Sequence, residues 1–197
     1  MTRSLYRKFP AAVLVILALA LGSFAQSNPA AFSQIKIKNF GQMDARFYRG
    51  AQPKKEDYKD LAALGVKTVI DLRDDAPDYE RPAVEALGMH YVNIPMSDKH
   101  YPQEAQIAEF LKLAADPATG KFYVHCAGGR HRTGVMGAVY RYNFYHWNYD
   151  QVYKEMKDYD FYTRFGHGDM KKYVEDYWQR VQSGQVTLVN AAAVATH

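Results

Sequence analysis

The chain has 197 residues, with 25 Lys+Arg against 21 Asp+Glu, 16 tyrosines and a single cysteine. One cysteine excludes an internal disulfide framework, and the length suffices for one domain with a proper core. The formal charge of +4 does not make a nucleic-acid binder: residues 1–25 hold three basic residues and no acidic one, leaving 22 against 21 in the remainder, so any attraction for anions must be local.

In chain order, Arg3, Arg7 and Lys8 precede an apolar run from Ala11 to Leu21 and then Ser23-Phe24-Ala25, a small-x-small step before a cut. That is the pattern of a signal peptide. Eleven apolar residues are short for a bilayer span, so a retained anchor is only the alternative. No cysteine follows the run, which argues against lipid attachment. Residues 1–25 are read as a leader, 26–181 as the folded domain and 182–197, polar, small and Ala-rich, as a disordered tail. The mature chain is expected to be periplasmic or secreted, without stable membrane insertion, its free thiol open to oxidation.

Ile35-Lys36-Ile37 alternates like a strand, and Phe47-Tyr48-Arg49 is a second extended piece. A helix is predicted from Pro53 to Leu64, proline at its start and Gly65 just past its end. Val66–Leu72 has the length of a buried strand. A short helix over Tyr79–Leu87 and a strand over His90–Ile94 follow, then an amphipathic helix from Pro102 with Ile107, Phe110, Leu111 and Ala114 on one face. The strand Phe122–His125 enters a glycine-rich loop, and helices are predicted over Thr133–Phe144, Asp150–Tyr159 and Asp169–Val181. The alternation implies an α/β fold: a central, mainly parallel sheet with helices on both faces and a site at the carboxyl end of a central strand. The tyrosines clustered from Tyr140 to Tyr177, with Trp147 and Trp178, read as half-buried packing.

The chemistry concentrates in His125-Cys126-Ala127-Gly128-Gly129-Arg130-His131-Arg132-Thr133-Gly134. A short loop between strand and helix can turn successive backbone N–H groups onto one tetrahedral anion, and Gly128 and Gly129 permit the turn. Arg132 would grip phosphate oxygens with its fork of donors, while the same positive environment keeps Cys126 a thiolate. A lone cysteine is more often a small buried hydrophobe, but such a residue has no need of three basic neighbours and two glycines.

The run H-C-x5-R-T-G resembles the loop of the cysteine-dependent protein tyrosine and dual-specificity phosphatases. Phe47-Tyr48-Arg49-Gly50-Ala51-Gln52-Pro53 and Thr68-Val69-Ile70-Asp71-Leu72-Arg73 are similar to segments of the atypical dual-specificity phosphatases of plants, fungi and bacteria. The resemblance covers about residues 35–181 and implies a phosphatase-type phosphate loop and phosphate monoester hydrolysis through a phosphocysteine. It calls for no metal or cofactor.

The leaving alkoxide or phenoxide needs a proton donor. The resemblance places Asp98 in that role: it lies on the loop after the His90–Ile94 strand, 28 residues before the cysteine, where the family's movable acid loop sits. Asp98-Lys99-His100-Tyr101-Pro102-Gln103 resembles a stretch of the phosphoinositide-cleaving members. Asp74, Asp75 and Asp78 are the rival group, since the family's Trp-Pro-Asp triplet is missing. Thr133 is expected to hydrogen-bond the departing sulfur, and His125 to brace the loop from behind. His167 is given no role beyond the edge of the site.

Ala127, Gly128, Gly129, Arg130 and His131 are the expected phosphate-binding positions. Arg130 and His131, with Lys99 and His100 at the rim, suit a second phosphate, and the Arg-His-Arg-Thr run is similar to that of inositol-pyrophosphate-cleaving relatives; Ala127 departs from the lipid-phosphatase pattern, which often has lysine there. The expected partner is thus a phosphorylated protein or a small phosphorylated polyanion. The alternatives are a rhodanese-like or arsenate-reducing protein, or a binding module with a dead site.

Overall fold

Along the central strands the apolar residues alternate between two cores. The computed structural model describes residues 32, 34–186 and 188, so the leader and most of the tail fall outside the described residues. Five strands, β1 (Gly41–Gln42), β2 (Phe47–Ala51), β3 (Val66–Arg73), β4 (His90–Met96) and β5 (Lys121–Cys126), form one sheet in the order β1-β2-β5-β3-β4. Only the β1–β2 pairing is antiparallel. Phe47, Ile70 and Phe122 pack into the larger core, while Tyr48, Val69 and Tyr123, each one residue away, pack into the smaller, because successive strand side chains face opposite ways.

The helices α1 (Tyr58–Ala63) and α2 (Glu80–Glu85) cover the smaller core through Tyr58, Leu61, Ala83 and Val84. On the other face lie α3 (Glu104–Ala115), α4 (His131–Tyr140), α5 (Tyr149–Asp158) and α6 (Gly168–Gln182). The architecture is thus the expected α/β one. β5 is the middle strand, and Cys126 stands at its carboxyl end beside Ala51 of β2.

Several local readings differ from the sequence: β1 was not expected, and the helix expected from Pro53 begins at Tyr58, after a 3-10 turn over Lys55–Asp57. Residues 35–37 form no strand: Ile37 is buried in the smaller core, and Asn39, with φ 51°, turns the chain toward the phosphate loop. α4 begins two residues early, at His131, and stops at Tyr140, the rest of the predicted helix being a π turn over Arg141–Tyr145 that ends at His146 in the left-handed region. The start of the expected tail is ordered. α6 runs to Gln182, Gly184 has φ +71°, Gln185 N–H bonds the Arg180 carbonyl at 2.9 Å, and Val186 packs on the larger core, a glycine-terminated helix end with its hydrophobic contact.

Candidate active site

Three successive carbonyls of the phosphate loop are taken from behind by one segment of chain. Gln52 N–H donates to Ala127 O at 3.3 Å, Asn39 Nδ2 to Gly128 O at 2.9 Å and Arg49 Nη2 to Gly129 O at 2.7 Å. In a planar trans peptide the N–H points opposite to the C=O. Gripping these oxygens on the outside therefore turns the N–H groups of Gly128, Gly129 and Arg130 toward the inside of the loop. Gly129 has φ +67°, and a Cβ there would collide with the backbone of Gly50 and Ala51, so only glycine fits. Gly50 is constrained likewise, because the Tyr123 hydroxyl occupies the place of its Cβ and donates to Ala51 O at 2.6 Å.

Cys126 is buried, which pushes its thiol pKa up. The Thr133 hydroxyl and N–H, the Arg132 guanidinium and the Arg130 N–H outweigh burial and hold it below the ordinary thiol value. The fully buried Thr133 hydroxyl exerts this effect from a position that falls short of a closed hydrogen bond. Arg132, on the first turn of α4 and 5% exposed, donates from Nη1 to Asp74 Oδ1 at 2.9 Å and to Met96 O at 3.0 Å. Its Nε is buried without a partner, a donor left for a phosphate oxygen.

Behind the nucleophile, His125 Nε2 bonds Glu80 Oε1 at 2.7 Å, and Asp71 Oδ1 lies 3.7 Å from Nδ1, all three side chains fully buried. Burial pulls the imidazole pKa down, but Glu80 and Asp71 more than reverse it, and the net shift is upward. These three side chains lie close enough to hold a metal ion, yet Glu80 also accepts from Gln52 at 2.7 Å and Asp71 from Tyr91 at 2.9 Å. His125 Nδ1 has no hydrogen-bond partner among the described residues, while Nε2 ties the residue that precedes Cys126 to Glu80 of α2.

The other expected residues are distributed around the rim. Asp98 is half-buried, and its carbonyl accepts from His167 Nδ1 at 2.7 Å. His167 stacks on His131 with ring centroids 3.6 Å apart and 13° between planes. His131 corrects an expectation: it is 8% exposed, packed also against Phe161 and Tyr162, and burial together with the His167 ring lowers its pKa to about 4. It is a neutral packing residue, not a rim cation. Arg130 does face outward, with its side chain 40% exposed, Nε 3.9 Å from Asp160 Oδ2 and its guanidinium 5.9 Å from the Tyr162 ring centre.

Among the rival acids, Asp74 is engaged with Arg132, and the hydrogen bond from Arg73 holds Asp75 below the usual carboxylate range. Sequence reasoning missed Asn39 and Glu80, quoted Arg49 and Gln52 only within the segment that resembles the phosphatases, and put His167 at the edge of the site without its bond to Asp98. The only signal for any of these contacts was a charged Arg49 inside a strand of otherwise apolar and small residues.

A family model, described as DSP-PTPase phosphatase fused to NAD+ kinase, matches residues 24–176. The chain belongs to the dual-specificity and tyrosine phosphatase family. It is therefore a phosphoric monoester hydrolase of that type, acting on phosphorylated molecules. "Probable tyrosine-protein phosphatase DG1060" of Dictyostelium discoideum is 27% identical over 158 residues, 78% of this chain and 91% of that protein. The catalytic core of the PP-IP phosphatase SIW14 of S. cerevisiae shares the fold at TM-score 0.61 and 22% identity, over 77% of this chain and 96% of that one. TpbA of P. aeruginosa does so at TM-score 0.61 and 22% identity, over 77% and 98%.

Proposed function

We propose that the protein hydrolyses phosphate monoesters of small, multiply phosphorylated molecules through a phosphocysteine on Cys126. The observation that carries this is the clamped loop: three inward N–H groups, a thiolate favoured by Thr133 and Arg132, and a free Arg132 Nε converge on one anion-sized place. The Cys126 sulfur attacks phosphorus and the ester P–O bond breaks, the leaving oxygen taking a proton from Asp98. Water, giving its proton to the Asp98 carboxylate, then attacks the phosphorus; a P–O bond forms, the P–S bond breaks, and inorganic phosphate leaves as the thiolate re-forms. Arg132 and the loop amides neutralise the charge spread over the equatorial oxygens.

The polyanion reading is supported by the outward-facing Arg130, by the exposed Lys99 next to Asp98, and by the SIW14 relative. A second reading, a phosphotyrosyl substrate, is favoured by Phe165, 78% exposed on the loop that carries Tyr162, and by the TpbA structure solved in complex with pTyr. Phosphate release without added metal, with reductant, from a highly phosphorylated inositol, a phosphotyrosyl peptide and an aryl phosphate decides between them. Preference for the inositol supports the first reading and preference for the peptide the second. Release that survives Cys126→Ser sinks both. Export rests on the amino-terminal pattern alone; activity that stays in the cytoplasmic fraction of an expressing bacterium would refute it.

A further inference from the structure

Arg49 of β2 is 1% exposed and among the largest fully buried side chains. A guanidinium taken out of water is costly unless a carboxylate or equivalent acceptors accompany it. Arg49 has no ion pair among the described residues. Glu155 of α5, the one carboxylate among the charges that act most on it, is spent on Arg141 at 2.6 Å. The other groups facing it are the Tyr159 ring, 3.9 Å from the guanidinium carbon, and Tyr123 and Cys126 of β5. Among the described residues the guanidinium's one hydrogen bond is the 2.7 Å contact to Gly129 O, and its Nε has no partner.

The Gly129 oxygen belongs to the same peptide unit as the Arg130 N–H, and that N–H is among the groups that hold the Cys126 thiol below its ordinary value. A cation on the oxygen side of a planar peptide fixes its orientation and polarises it, so the N–H on the far side becomes a stronger donor.

Resting on the phosphatase reading, we propose that Arg49 is a second cation of the site: a positioning residue that aims and polarises the Gly129–Arg130 peptide, with the Cys126 thiolate and then the bound phosphate as its counter-charge. The family's loop arginine, Arg132, acts from the mouth of the site, whereas Arg49 acts through the floor and never touches substrate.

The test compares the full chain with Arg49→Met, Arg49→Gln and Arg49→Lys. Three quantities are read: the pH midpoint of Cys126 alkylation by iodoacetamide, the affinity for inorganic phosphate, and kcat against KM. The Met and Gln variants should move the midpoint up by about one pH unit, weaken phosphate binding about tenfold and lower kcat more than KM, while Lys restores most of each. Gln keeps a donor for Gly129 O without the charge, so the Gln–Lys contrast decides even where Met fails to fold. A lowered melting temperature in all variants, with midpoint and phosphate affinity unchanged in the folded protein, would overturn the proposal. A wild type that binds phosphate and titrates as expected but does not turn over esters would instead count against the catalytic reading.

Discussion

Beneath the phosphate loop, donors from residues 39–52 hold the Ala127, Gly128 and Gly129 carbonyls. Above it, the acid-bearing segment is tied across to the loop before α6 by the His167 bond to Asp98 O. The floor is buried at Arg49, Cys126 and Gly129 and half-buried at Asn39, Gln52 and Gly128; the rim, with Asp98, Lys99, Arg130 and Phe165, is exposed or half-buried throughout. The difference teaches where each property of the enzyme would reside in the proposed mechanism: the proposed nucleophile and anion cradle are set by the same packing that sets the fold, whereas the proposed proton donor and substrate contacts sit on the more exposed rim.

Breaking the phosphate loop and its arginine should cost most. Arg132→Ala is expected to lower kcat about 10²–10³-fold. Gly129→Ala should lose comparable activity together with stability, since its Cβ has no room and its φ is left-handed; a variant retaining wild-type kcat and melting temperature would show that the loop is not clamped as described.

The rim's acid is separable by chemistry. Asp98→Asn should slow hydrolysis of alkyl phosphates about 100-fold while barely affecting an aryl ester whose leaving group needs no proton. His167→Ala should show the same leaving-group pattern at about tenfold or less, because it removes the bond that holds the Asp98 backbone and the ring stacked on His131 but leaves the Asp98 carboxyl in place. An equal loss on both ester types would return the acid role to Asp74, Asp75 or Asp78.

Thr133→Val probes the border between the two regions. Because Thr133 lowers the Cys126 pKa, its loss raises that pKa, and the acid limb of kcat/KM moves to higher pH. The variant should be about fivefold slower near pH 5 and converge on wild type above the limb; an unmoved limb would exclude a role for the hydroxyl in holding the thiolate.

The smallest effect belongs to the outward cation. Arg130→Gln should spare a monophosphate and weaken a polyphosphate several-fold. Equal losses on both would remove the case for a second-phosphate contact.

The strands, the amphipathic helix α3 and the phosphate loop were legible because each is written in contiguous residues: a period, a pair of glycines, a cysteine with its arginine. What was not legible is what the fold brings together from a distance. Asn39 reaches Gly128 across 89 positions and Arg49 reaches Gly129 across 80; nothing local announces Asn39, and the charge of Arg49 within its strand does not say what it touches. His131 misled for the same reason, because its charge depends on packing against Phe161, Tyr162 and His167, all about thirty residues further on. Ile35–Ile37 alternates as a strand would, but Asn39 turns the chain before a ladder can form.

The most direct measurement is rapid quenching of Asp98→Asn with a phosphate ester, followed by mass analysis of the peptide containing Cys126. The expected result is a phosphoryl group on Cys126 that accumulates during turnover and is absent in the Cys126→Ser protein. Turnover with no phosphocysteine, or turnover that persists in Cys126→Ser, would contradict the two-step mechanism at its root.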